Sequence, residues 1–282
     1  MYSLKDIELV NSNDTVDIIS VLKRFGIVVI KGFAQNEEID LLEREYDSLM
    51  YGEIKDGFIR HGHPSNEEGM VVRVNQAGLE KNCCNNIKNF FSSKIMHDIA
   101  NNYFHPYKST LNDEIFLTNE RESDIEILPW HFDRIYSLKY FLSLTDMNAE
   151  NGAFEYALGS HREGHYRANT GILGGTPVQR LLNDIPSDEI LMPVTLETQK
   201  GDIIIFDSDG FHKGGFVKKG RERKIIRGHT HPCPKDKYGS PRIFSPLWFI
   251  QSPLNFSRLF IHSAERKVGI TTKSKAKNRD NK

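Results

Sequence analysis

From Asp113 onward the chain is a succession of short β-rich runs: Glu114–Thr118, Lys139–Leu144, Ala153–Ala157, Asp202–Phe206, Arg223–His229 and Pro246–Ile250. Each is strand-sized, and Gly, Pro, Asn and Asp separate them. Many short strands punctuated by turn residues fit a sandwich or a barrel rather than a helical or parallel α/β fold. The expected class is mainly β with flanking helices, around a double-stranded β-helix (jelly-roll) core. One interruption, residues 163–193, is polar and Gly-rich. Loops of that length are usually functional lids or disordered segments.

The first hundred residues mix helix and strand. Asn13-Asp14-Thr15 can cap a helix through Val21, Leu22 and Phe25, and Gly26 ends it. Ile27-Val28-Val29-Ile30 is a β-branched run of the kind that forms a buried strand. Asn36-Glu37-Glu38 opens a second helix, with Ile39, Leu41, Leu42, Tyr46 and Leu49 spaced for one apolar face. A further helix is predicted over Lys88–Tyr103. The organisation expected is one domain over residues 1–270, with a helical N-terminal part (1–112), a jelly-roll core (113–250) and a flexible basic tail (271–282).

With 38% hydrophobic residues in 282, such a domain can bury a core without covalent staples. The 37 basic residues are matched by 38 acidic ones, so overall charge gives no case for nucleic-acid or membrane partners. The first residues lack the apolar stretch of a secretion signal, and the longest apolar runs are too short to span a bilayer. A cytoplasmic location is expected. Cys83, Cys84 and Cys233 fit neither a disulfide framework nor a zinc-site spacing and are read as free thiols.

The chemistry is carried by Trp130-His131-Phe132-Asp133. On an extended strand, residues two apart share a face, so His131 and Asp133 can present an imidazole and a carboxylate to one point. One more histidine completes the 2-His-1-carboxylate facial triad of non-haem iron oxygenases, which leaves coordination positions open. His212 lies just beyond the strand-like run Gly201-Asp202-Ile203-Ile204-Ile205-Phe206. Eleven residues further on, Arg223 opens the next strand. A guanidinium fork is the natural partner of a distal carboxylate, because it can bind both oxygens.

These residues resemble the phytanoyl-CoA dioxygenase family of iron(II)/2-oxoglutarate oxygenases. The resemblance is carried by the helix–Gly–strand–Gly-Phe–helix opening (Leu22 to Leu49) and by Trp130–Asp133 with Tyr136 behind it. It continues through Asn151-Gly152-Ala153-Phe154 to Gly159-Ser160-His161-Arg162, and through Gly201-Asp202, His212 and Arg223-Lys224. It implies Fe(II) on His131, Asp133 and His212, with 2-oxoglutarate and O2 as co-substrates. It implies that Arg223 holds the distal carboxylate of 2-oxoglutarate, and that Thr118 or Asn119 gives a polar contact. Gly214 stands where members often carry a Ser, and Phe132 where they often carry a Gln. The implied reaction is hydroxylation of a C–H bond in a small molecule, with succinate and CO2 formed. Related halogenases lose the carboxylate that Asp133 retains. Desaturation, cyclisation and epimerisation share the same oxidising step.

Other candidates are weaker. His161-Arg162-Glu163-Gly164-His165 lacks the Glu beside the first His that a metalloprotease helix needs and reads as a structural turn. Arg223, Ile225, Arg227 and His229 alternate onto one strand face, which gives His229 a possible place near the site. Arg60, His61, His63 and Arg73 precede the barrel, where members of the family often form a substrate entrance. If several arginines converge there, an anionic substrate is favoured. Two readings of other classes compete. One is a cupin-like metal protein without oxygenase activity, which ordinarily shows His-x-His and a nearby Glu. The other is a pseudo-enzyme used as a binding module.

Overall fold

In a computed structural model the residues described are 3–53, 58–63, 66–111, 114–122, 129–133, 136–173 and 192–233. The predicted run Pro246–Ile250 and the tail 271–282 lie outside them. Twelve strands are present among the described residues: β1 (Glu8–Val10), β2 (Ile27–Lys31), β3 (Phe58–His63), β4 (Asn66–Asn75), β5 (Lys108–Leu111), β6 (Glu114–Arg121), β7 (Leu138–Ser143), β8 (Phe154–Leu158), β9 (Met192–Leu196), β10 (Ile203–Asp207), β11 (His212–Gly214) and β12 (Glu222–Cys233). They form two sheets. The larger runs β1-β2-β10-β7-β12-β6-β4-β3, with β5 also paired to β12, and the smaller runs β11-β8-β9. Every pairing is antiparallel except β1 with β2. The protein has a double-stranded β-helix core with helices on one side.

Local chemistry accounts for the opening elements. Asp14 accepts from the Val16 backbone N–H at 2.8 Å and caps α1 (Thr15–Phe25), satisfying a donor that has no partner within the helix. Gly26 ends α1 at φ 79°. A Cβ there would also lie 2.4 Å from the Tyr156 hydroxyl, so both the turn and the packing exclude a side chain. α2 (Asn36–Tyr51) follows as expected, and then α3 (Gln76–Lys81). The helix predicted over Lys88–Tyr103 is two, α4 (Asn85–Phe91) and α5 (Lys94–Tyr103). The Ser92 N–H and hydroxyl both turn back to the Lys88 carbonyl, at 3.0 Å and 2.5 Å, which closes α4 before α5 begins.

The large sheet is buried on both faces, and strand alternation sorts its side chains. Val28, Ile30, Val72, Val74, Ile115, Leu117, Leu138, Tyr140, Leu142, Ile203, Ile205 and Ile226 pack against α1, α2 and α3–α5. The alternate set, Ile27, Val29, Phe141, Ile204, Phe206 and Ile225, faces the small sheet through Phe154, Tyr156, Leu158, Val194 and Leu196. At roughly 1.5–3 kcal/mol for each large apolar side chain buried, both layers hold the core strands in fixed register. The second layer is the barrel interior, and it is where the polar residues discussed below also point.

Residues 1–112 carry α1–α5 and, with them, β1–β5, of which β2 and β4 lie inside the large sheet. One expectation needs correction. The interruption at 163–193 is not loop at either end. It begins as α6 (His161–Leu173) and ends in β9, while 174–191 lie outside the described residues.

Candidate active site

His131, Asp133 and His212 each offer a ligand atom, and these atoms all lie within 4.8 Å of one another. The segment that carries His131 and Asp133 is extended but is not a regular strand. It is held by a reciprocal backbone bridge, His131 N–H to His212 O at 3.0 Å and His212 N–H to His131 O at 2.8 Å. Asp133 N–H then donates to Ser208 O at 2.9 Å. Backbone pairing therefore brings the two histidines together, with ring centroids 4.3 Å apart.

The side chains are set for a metal. His131 Nδ1 lies 2.9 Å from the Pro129 carbonyl, and His212 Nδ1 lies 2.7 Å from the Gly210 carbonyl. A carbonyl only accepts, so each Nδ1 carries the proton and each Nε2 keeps its lone pair for a cation. Burial, then the neighbouring His131, pushes His212 down to about 3, against the pull of Asp133, so the ring is neutral at neutral pH. Burial opposes ionisation of Asp133, but the Lys139 ammonium beside it outweighs burial and holds the carboxyl below its usual range. Lys139 Nζ lies 2.5 Å from Asp133 Oδ2, and Asp133 Oδ1 lies 4.0 Å from His212 Nε2. Two neutral imidazoles and one carboxylate, with three coordination positions left open, suit iron(II).

Deeper in the barrel, Arg223 is buried and pairs with buried Glu120 through both Nε and Nη2, while Nη1 donates to the Gly152 carbonyl. Gly152 sits at φ 79°, and a Cβ there would lie 3.3 Å from Arg223 Nη1. Arg223 faces Glu120 and Ile225 faces Thr118 in the β12–β6 register, so Thr118 and Glu120 share the interior face. Thr118 Oγ1 is buried with no hydrogen-bond partner among the described residues. Asn119, the other polar candidate, is corrected: it points to the helical side, where its Nδ2 donates to Tyr51 Oη at 2.6 Å. Glu120 was missed by the sequence reading, although the same alternation from Thr118 places it.

The remaining candidates are dispersed. His229 faces inward and stacks on Phe116 at 5.0 Å. Arg73 lies over the other reach of the same ring, 5.2 Å from its centroid, and is paired with Glu114 at 2.6 Å. Tyr136 packs against Phe104 and His165. Arg60 is spent on the end of α2, donating to the Leu49 and Gly52 carbonyls. The side chains of His61 and His63 lie outside the described ones. Among the described residues, His161 and His165 belong to no group of metal-ligating atoms. The segment is the start of α6, not a turn, because Gly164 lets the helix close on Asp209, whose carbonyl would lie 1.7 Å from a Cβ there.

Behind His212, the turn after β10 holds a buried acidic pair. Tyr103 Oη donates to Asp207 Oδ2 at 2.5 Å, Asp209 N–H donates to Asp207 Oδ1 at 2.8 Å, and His165 Nδ1 lies 2.8 Å from Asp209 Oδ2. Burial, then the charge of Asp209, pushes Asp207 up to about 7. An acid whose folded pKa lies above its unfolded value stabilises the fold most at low pH. That contribution is lost as pH rises from about 4 through about 7. Asp207→Asn is therefore expected to gain in Tm relative to the parent as pH is raised from 4 to 8. A constant difference in Tm across that range would refute this.

A double-stranded β-helix that presents two histidines and an aspartate to one point inside its barrel defines a non-haem iron oxygenase. The chain belongs to the phytanoyl-CoA dioxygenase (PhyH) family, whose profile matches residues 22–225. It is 24% identical over 243 residues to the dioxygenase olcK of Penicillium canescens, covering 77% of this chain and 70% of that one. Its fold is similar to that of the non-haem α-ketoglutarate-dependent epimerase SnoN of nogalamycin biosynthesis, with a TM-score of 0.56 and 15% identity over 78% of this chain and 83% of that one. The carbocyclase SnoK of the same biosynthesis is also similar, with a TM-score of 0.53 and 15% identity over 80% and 92%. A SnoN structure holds Fe3+ and α-ketoglutarate. The chain is an Fe(II)- and 2-oxoglutarate-dependent dioxygenase.

Proposed function

We propose that this enzyme hydroxylates an unactivated C–H bond of a small molecule (a natural product, amino acid or similar metabolite), with 2-oxoglutarate and O2 converted to succinate and CO2. The observation that carries the proposal is the retained Asp133 carboxylate, grouped with the Nε2 atoms of His131 and His212, whose Nδ1 atoms are turned to backbone carbonyls. These three residues would hold the iron, and Arg223 with Thr118 would take the distal carboxylate of 2-oxoglutarate. Bound together, iron and 2-oxoglutarate supply the oxidising power. The protein's part is to fix the ligand geometry, to keep the histidines neutral and to neutralise Asp133 through Lys139. Desaturation, cyclisation and epimerisation use the same residues and differ in product mass.

Arg73 is ion-paired with Glu114, and Arg60 directs its guanidinium to the Leu49 and Gly52 carbonyls at the end of α2. We take residues 1–270 as one catalytic domain. No helix of the described residues is long and apolar enough to cross a membrane, and we propose a cytoplasmic location.

The test is spectroscopic and then chemical. Without oxygen, iron(II) plus 2-oxoglutarate should give a weak visible charge-transfer band; its absence favours a cupin-like protein that is not an oxygenase. With oxygen, the product should gain one oxygen atom. Loss of two hydrogens instead would overturn hydroxylation.

A further inference from the structure

Four cationic side chains point to the interior face of β4, β7 and β12: Arg73, Lys139, Arg223 and Arg227. Three have an acidic partner, respectively Glu114, Asp133 and Glu120. Arg227 has no ion pair or hydrogen-bond partner among the described residues. Its guanidinium lies against Phe141, with Cζ 5.4 Å from the ring centroid, and its Nε is buried without an acceptor. A buried charged donor left without an acceptor is costly, so such a group in a concave site points to a ligand.

Its position says which ligand. Arg227 is four residues along β12 from Arg223 and on the same face. Along the inward face of β12 it lies between Arg223, which pairs with Glu120, and His229, which sits opposite Lys139, the partner of Asp133. A molecule that joins the metal to Arg223 would lie along this face. Arg223 itself already directs three of its five N–H groups to Glu120 and Gly152. It therefore has few donors left for an incoming carboxylate.

We propose that Arg227 is a second carboxylate-binding residue for 2-oxoglutarate, reaching it between the iron ligands and Arg223, with the unpartnered Thr118 hydroxyl as a further donor. This rests on the reading above that the site takes 2-oxoglutarate.

The test is calorimetric titration of 2-oxoglutarate into the iron(II)-loaded enzyme without oxygen. The variants are Arg227→Met and Arg227→Lys, each checked first for iron content and thermal transition. Arg221→Ala, which removes an exposed positive charge outside the barrel, controls for general electrostatics. Arg227→Met should weaken 2-oxoglutarate binding by about tenfold or more, as for other hydrogen bonds to charged groups. Arg227→Lys should recover part of the loss, and Arg221→Ala should bind like the parent. If the parent binds and Arg227→Met binds equally well, the proposal is overturned while the function stands. Equal weakening by Arg221→Ala also overturns it. If the parent itself fails to bind, the functional reading falls first. Should Arg227→Met not load iron, Arg227→Lys carries the comparison, and parent-like affinity in it overturns the proposal.

Discussion

Asp133→Ala is expected to reduce conversion of 2-oxoglutarate to succinate to background. Asp133 supplies the anionic ligand, and its Oδ2 carries the counter-charge for Lys139 at 2.5 Å. Removing it subtracts a ligand and also leaves an ammonium facing two neutral imidazoles. That environment repels a divalent cation, so iron content should fall together with turnover. Metal analysis after gel filtration reads the first effect, and succinate quantified with and without oxygen reads the second. Succinate formation at the parent's rate would sink the assignment of the metal site.

Glu120→Ala is expected to be the most destabilising single change at the site. Glu120 and Arg223 are both buried, and the pair is made through two guanidinium nitrogens. Removing one partner of a buried pair leaves an uncompensated charge, at about 3–5 kcal/mol. For a chain of this size that corresponds to a Tm lower by roughly 10 °C. The double variant Glu120→Ala with Arg223→Met removes both charges and should recover much of the loss. Added 2-oxoglutarate should raise the Tm of Glu120→Ala more than that of the parent, because its carboxylate can take the vacated place beside Arg223. A drop below about 1 kcal/mol in the single variant would mean that the pair is not fixed in the barrel.

Much of this site was legible in the sequence, for identifiable reasons. Asp14, Gly26 and the run Ile27–Ile30 act locally, through a cap, a left-handed turn and β-branching, so their roles show in a few consecutive residues. His131, Asp133 and His212 were legible because a metal demands particular side chains. Asn119 failed for a physical reason: alternation tells which residues share a face, but not which face meets the second sheet. β3 and β4 escaped notice because polar residues and Gly62 and Gly69 flank their alternating Met70, Val72 and Val74. Glu120 and Arg227 carry parity signals, yet whether a charge has a partner is decided across β6, β7 and β12. No local window contains that information.

The reciprocal backbone bridge between His131 and His212 has a consequence for how iron is acquired. Each ligand's main chain is the other's hydrogen-bonding partner, so the cradle is assembled by the same pairing that builds the sheet. In small zinc domains the metal creates the fold and most of its binding energy goes into ordering the chain. Here the backbone pairing itself draws the two ligands together, so the expectation is that the fold stands without the ion and that iron can be exchanged while the scaffold stays folded.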